Sequence, residues 1–281
     1  MRTVTAGELS ETVADLAEAG RLLREAQATV TWGLKPDGSF VTDLDRRIED
    51  FLRVRLEARF PGYEFVGEEG APAVHHTGRP RIVLDPIDGT AAFARGLNFY
   101  AISLALLDEE GRPVMALLHL PGMGRWMAAA FGADGARRYD VIAADGALDL
   151  RAAPAVPPVA MADADWRSAY VWLGSDPHLQ LDLSRWEGKV RALGATAAHL
   201  GLVQDGTIDP LAVVVTRYKI WDVAAGLALA EAAGLQIHDL RAGAPTSTAA
   251  VARASELPPL LVARPEVMAR LLSRVVLSRS R

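Results

Sequence analysis

The chain has 281 residues, 50% of them hydrophobic and 23% charged, with a formal net charge of -5 and a pI near 5.7. That balance describes a globular chain with a sizeable core, and its acidic sign gives nucleic acid or an anionic membrane surface little electrostatic attraction. With no cysteine, a disulfide framework and a thiolate metal site are both excluded.

The opening stretch MRTVTAGELSETVADL lacks the apolar core of a signal peptide. The longest apolar runs, YAISLALL and LAVVV, are too short to span a bilayer, so a cytoplasmic protein is expected. Leu9, Val13, Leu16 and Leu23 fall near one face of a helix predicted over residues 7–27. A second helix is predicted after Thr42, with Leu44, Ile48, Phe51 and Leu52 as its apolar stripe and Pro61-Gly62 past its end. RIVLD and FYAISLALLD read as strands. The turn EEGR then leads into a hairpin partner, PVMALLHL, and RWMAAAF reads as one more strand of the same sheet.

Residues 146–160, GALDLRAAPAVPPVA, have the composition of a seam, which divides the chain into residues 1–150 and 151–281. Beyond it, YVWLG and LAVVVT read as strands, and helices are expected around SRWEGKVRAL and ATAAHLGLVQ. DVAAGLALAEAAG is a helix with a glycine stop, and RPEVMARLLSRVV a closing helix. Helices and strands come in runs rather than in strict alternation, which points to a layered α/β sandwich with mixed sheets.

The chemistry concentrates in LDPIDGT, where a hydrophobic strand ends in Asp85 and Asp88. Proline biases Asp85 toward extended backbone, and the turn brings Asp88 near it. Gly89 lets the backbone approach a ligand, and Thr90 can open a helix whose free N–H groups bind anions. Two acids beside an anion site require cations between them, and hard oxygen ligands suit magnesium. Asp-Pro and Asp-Gly are also ordinary turn dipeptides, so further acids must decide. Glu68 and Glu69 follow the strand-like YEFVG. Asp222 in IWDVAAG stands where an N-cap belongs, and Thr42 with Asp45 fits a capping box. No spacing among His75, His76, His119, His178, His199 and His238 makes a ligand set.

LKPDGSFVTDLD, VGEEG, LDPIDGT and IWDVAAG, in this order, resemble the inositol monophosphatase family of magnesium-dependent, lithium-sensitive phosphatases. The resemblance runs from about residue 7 to the C-terminus. It implies a layered αβαβα sandwich and a homodimer. By motif it implies that Glu68, Asp85 and the carbonyl of Ile87 hold one magnesium, and that Asp85, Asp88 and Asp222 hold a second. Asp45, Glu68 and Thr90 would hold and activate the attacking water, with a third, weaker metal as an option. The N–H groups of Gly89 and Thr90 would cradle the phosphate. The implied reaction is hydrolysis of a small polyol or sugar phosphate. Histidinol phosphate, fructose-1,6-bisphosphate and nucleotide phosphates are the alternative substrates, and a non-catalytic regulatory binding protein is the alternative class.

The sequence departs from the family pattern at its substrate edge. Ala92 stands where asparagine is usual. LAVVVTRYKIWD offers no acid before Trp221; Arg217 and Lys219 are the nearest charged residues. Ala195 and Thr196 replace a direct Gly-Ser or Gly-Thr pair in LGATAAHL. The expected consequence is an enzyme not restricted to inositol monophosphate, with a bias toward substrates carrying a second anionic group.

Overall fold

The computed structural model describes residues 2–70, 77–144, 147–155, 166–174, 180–204 and 211–278. His75, His76 and His178 lie outside them. Two long helices come first: α1 (Ala6–Ala26) and, after the hairpin β1 (Trp32–Leu34) and β2 (Phe40–Thr42), α2 (Asp43–Arg59). Each starts on a threonine capping box, Thr5 with Glu8 and Thr42 with Asp45, so both predicted starts hold to within a residue.

A seven-stranded sheet follows: β3 (Glu64–Gly67), β4 (Arg81–Asp88), β5 (Ala101–Leu107), β6 (Pro113–Leu120), β7 (Arg125–Gly132), β8 (Gly135–Ala144) and β9 (Ala147–Ala152), in that spatial order. Only β3 and β4 run parallel. The five-residue helix α3 (Thr90–Ala94) interrupts the β4–β5 connection. Because side chains alternate along a strand, Ile82, Leu84, Ile102 and Leu104 pack toward α1 and α2, while Val83, Ala101 and Ala105 face the opposite layer. Burial on both faces explains why these strands read as unbroken apolar runs.

The opposite layer is α4 (Thr196–Leu202) with α5 (Ile220–Ala232). Behind it lies a mixed sheet of β10 (Tyr170–Leu173), β12 (Lys189–Arg191), β13 (Ala212–Val215), β14 (Gln236–Asp239), β15 (Ala244–Thr246) and β16 (Leu260–Ala263), in the order β12-β10-β13-β16-β14-β15. Alternation again divides it, with Val213, Val215 and Val262 facing the helices and Ala212, Val214 and Leu261 facing away. That outer face is covered by Trp166, Trp186 and α7 (Pro265–Leu272). The result is the expected αβαβα sandwich. One continuous core joins both sheets to α4, α5 and Val251 and Ala252 of α6 (Thr248–Arg253). A two-stranded pair, β11 (Leu181–Asp182) with β17 (Val276–Leu277), closes the edge.

Three expectations are corrected. SRWEGKVRAL is not a helix but a turn leading into β12. Trp186 is buried and its indole N–H donates to the Lys189 carbonyl at 3.1 Å. A Cβ on Gly188 would sit 2.5 Å from the Ala169 carbonyl oxygen, and Lys189–Arg191 pair in parallel with β10. Tertiary burial of the tryptophan outweighs the local helical pattern here. Within the stretch expected as a seam, Ala147–Ala152 form β9, whose alternation pairs with β8; residues 156–160 lie outside the described residues. Asp222 is not an N-cap, because the helix begins earlier, with Trp221 buried in its first turn.

Candidate active site

The site forms where β4 ends against the start of α5. Asp85 and Asp88 are three residues apart, a separation that would put them on opposite faces of a regular strand. They are brought to one face by a bulge. Asp85 pairs with Ser103 and Asp88 with Ala101, so three residues of β4 span two of β5. Pro86, with no N–H to lose, occupies the irregular step. Ser103 marks which face this is: its hydroxyl donates to the Trp221 carbonyl at 3.2 Å, next to Asp222.

Asp222 is the third residue of α5, and its Oδ2 accepts the Lys219 N–H at 2.7 Å, which leaves its other oxygen free of this cap. Asp88 is bound from the α4 side. Its Oδ1 accepts the Thr196 N–H at 3.0 Å, and its Oδ2 those of Ala197 at 2.7 Å and Ala198 at 3.2 Å. Asp45, on α2, accepts from the Thr42 N–H at 2.7 Å and the Thr42 hydroxyl at 2.6 Å. Its Oδ1 lies 3.0 Å from the Thr90 hydroxyl, which also lies 2.9 Å from the Ile87 carbonyl. Gly89 is required between these parts. Its φ of 88° is left-handed, and a Cβ there would fall 2.9 Å from Ala195 Cβ and 3.0 Å from the Gly194 carbonyl oxygen.

Asp45, Asp85 and Asp88 are buried and Asp222 half-buried; among the described residues none of the four forms an ion pair. Burial pushes the Asp45 carboxyl up to about 6 and that of Asp222 up to about 7, with Glu68 adding like charge to both. Asp85 and Asp88 are driven well above the carboxylate range by burial first. The charges of Glu68 and Asp222 add to this, respectively. Concentrated like charge with no ion pair to any of the four aspartates is the electrostatic demand of a cation site, and carboxylates with the Ile87 carbonyl are hard oxygen donors. The donor set therefore fits a divalent cation of the magnesium type.

Sequence reasoning missed Lys35. It sits in the β1–β2 turn, and its ammonium bonds Glu68 Oε1 at 2.7 Å and also Glu69. Burial pulls this ammonium down, but the two glutamates outweigh that and hold it above its ordinary range. The order LKPDGSF…VGEEG contained the residue; its thirty-three-position separation from Glu68 hid the contact. Arg217 and Lys219 are exposed on the segment entering α5, whereas Ala195 and Thr196 are buried at the start of α4. A further acidic group, Asp108, Glu109 and Glu110, stands at the far turn between β5 and β6. There Asp108 pairs with Arg112 at 2.8 Å and accepts the Glu110 and Arg112 N–H groups.

The model of the Inositol monophosphatase family matches residues 5–274. An inositol-1-monophosphatase of Mesorhizobium japonicum is 31% identical over 216 residues, covering 75% of this chain and 76% of that protein. A histidinol-phosphatase of Mycobacterium tuberculosis is 33% identical over 221 residues, covering 77% and 80%. A solved structure of an IMPase/NADP phosphatase with Mg2+ and phosphate superposes with a TM-score of 0.73 at 20% identity, covering 96% of each chain.

Proposed function

The chain belongs to the inositol monophosphatase family and is a phosphoric monoester hydrolase, and from that premise we propose that it hydrolyses small phosphomonoesters in a magnesium-dependent reaction. The observation that carries the reading is the meeting of Asp85, Asp88 and Asp222 in one buried site where Glu68 adds like charge, with Lys35 paired to Glu68 and no ion pair to the three aspartates among the described residues. Glu68, Asp85 and the Ile87 carbonyl would hold one magnesium, and Asp85, Asp88 and Asp222 a second, with Asp85 shared; a third, weaker ion is the further option. Bound there, magnesium neutralises the phosphate, lowers the pKa of water and stabilises the leaving alkoxide.

The chain's own groups do the rest. The Gly89 and Thr90 N–H groups open α3 and orient the phosphate. Thr90 and Asp45, 3.0 Å apart, hold the water; its proton passes to the Thr90–Asp45 pair as the oxygen bonds to phosphorus and the P–O bond to the alcohol breaks. A carboxyl raised to about 6 suits that task near neutral pH. The departing alkoxide takes a proton from solvent.

The substrate edge supports breadth rather than strict inositol specificity. No acid precedes Trp221, and Arg217 and Lys219 present exposed cations there. Their alanine double variant should lose preference for bisphosphorylated or carboxylate-bearing esters and keep a simple alkyl phosphate. The test is phosphate release from inositol-1-phosphate, histidinol phosphate, fructose-1,6-bisphosphate and a 3′-phosphonucleotide, with and without magnesium and with lithium. Magnesium-dependent release inhibited by lithium is expected. Release from none of them would reject the reading in favour of a regulatory binding protein. Strict preference for inositol-1-phosphate would reject the substrate edge alone. Homodimerisation and a cytoplasmic setting complete the proposal; among the described residues no helix is long and apolar enough to cross a membrane.

A further inference from the structure

Glu49 is a buried carboxylate that the reaction does not use. It lies one turn beyond Asp45 on α2, 2% exposed, and makes no ion pair among the described residues. Its Oε2 accepts the Glu69 N–H at 2.8 Å, and the nearby Gly70 N–H also favours its charged form. The chain closes around it on two glycines. A Cβ on Gly67 would lie 2.6 Å from Glu49 Cδ, and one on Gly70 would lie 2.8 Å from Glu49 Oε1. A buried carboxylate is costly unless something specific binds it, and what binds this one is the main chain of a single turn.

That turn, residues 68–70, carries Glu68. It is gripped twice: Lys35 of the hairpin holds the Glu68 and Glu69 side chains, and Glu49 of α2 holds the backbone beneath them. Asp45 and Glu49, four residues apart, share one face of α2. One helix face thus supplies a carboxylate to the water-binding pair and a second to the backbone of the turn beside it.

We propose that Glu49 is a positioning residue, setting the main chain of the 68–70 turn and so aiming the Glu68 carboxylate toward Asp85. The inference rests on the reading of Glu68 as a metal ligand. Glu49 is no ligand itself, since its oxygens face the turn's N–H groups. A glutamine there keeps one acceptor oxygen but turns an amide N–H2 toward the second N–H; an alanine keeps neither.

The experiment compares Glu49→Gln, Glu49→Ala, Glu68→Gln and Leu52→Ala in the full chain. Leu52 is buried on the same helix and serves as a core-packing control. Three quantities are read: the magnesium concentration that half-maximally raises the melting temperature, that which half-maximally activates phosphate release, and amide exchange at Glu69 without metal. Glu49→Ala should raise both magnesium midpoints by about 10–100-fold, the range typical for loss of a group orienting a ligand, and Glu49→Gln by less. Exchange at Glu69 should quicken in both. Leu52→Ala should lower the melting temperature and leave the midpoints and Glu69 exchange as in the parent. If Glu49→Ala does not fold, Glu49→Gln decides. Parental midpoints in the Glu49 variants, with a shifted midpoint in Glu68→Gln, overturn the inference alone; so does a Leu52→Ala shift as large as theirs. An unshifted midpoint in Glu68→Gln overturns the ligand reading and this inference with it.

Discussion

Asp85 and Asp222 test different parts of the site. Asp85 is bonded within its own turn, its Oδ1 accepting the Ile87 N–H at 2.9 Å, and an amide oxygen can accept that bond as well. Asp85→Asn should therefore fold. It should release phosphate at well under a hundredth of the parental rate, because a neutral amide is a poor bridge between two cations. Turnover close to parental in the purified variant would sink the shared-ligand role. Asp222 combines the N3 position of a capping box, accepting the Lys219 N–H, with a candidate ligand. Asparagine preserves the bond from the Lys219 N–H, so Asp222→Asn should keep its melting temperature within a few degrees while activity falls by orders of magnitude. An active variant with an ordinary magnesium response would leave Asp222 as a cap only.

Among the elements, the central helices are held closer than side chains usually permit. Gly226 of α5 faces Leu200 of α4, and a Cβ there would lie 3.0 Å from Leu200 Cδ1 and closer still to its Cβ. Alanine is intrinsically the better helix former, yet here it overpacks the interface, which costs about 1–3 kcal/mol. Gly226→Ala should lower the melting temperature and, because α4 supplies the N–H groups that hold Asp88, weaken magnesium binding too. Adding Leu200→Gly, which removes the Cβ that the new methyl meets first, should recover part of the loss, so that the double variant is less destabilised than the two single changes summed. Full additivity in urea denaturation would show that the two residues do not press on each other. The bulge in β4 shows the limit of pattern reading at this scale. DPID signals a turn, but that the step puts both acids on one face depends on pairing with Ser103 and Ala101.

At the scale of the whole molecule, the buried His119 and His199 sit in different layers of the sandwich. His119 lies between α1 and the first sheet, stacked on Trp126 at 3.7 Å with Nδ1 3.1 Å from the Leu16 carbonyl. His199 belongs to α4, beside Phe99 and Trp172, and its Nε2 accepts the Leu193 N–H. Burial pulls each imidazole down to about 3 from an ordinary 6.5. Below pH 6.5 the unfolded chain takes up protons that the folded rings refuse. The stability associated with both rings is therefore complete above about pH 6.5 and is lost as pH falls toward 3. His119→Gln keeps a donor near Leu16 and removes one titration. Between pH 7 and 4.5 the parent should lose more stability than this variant by on the order of 2 kcal/mol, read from urea midpoints. Parallel losses would mean that His119 is protonated in the folded state.

Much of this was written locally. The two opening helices were legible because Thr5 and Thr42 start them with short-range capping bonds and their apolar residues recur at the helical period. Asp85, Asp88 and Thr90 stood out as candidates because a strand end and a turn set them apart locally, whereas Asp45, Glu68 and Asp222 carried only turn and cap signals and became candidates through the resemblance of their motifs to the family. Tertiary structure decided what depends on contacts distant in sequence. It buried Trp186 and so turned an expected helix into a turn and an edge strand. It placed Asp222 inside α5 rather than at its cap, and it spent the first N–H groups of α4 on Asp88, 108 residues away. It also brought Lys35 and Glu49 to opposite sides of the Glu68 turn. Local rules reach along a few residues of chain, whereas the charge balance of a buried site is set by whichever groups the layers press together, and only the packed molecule determines those.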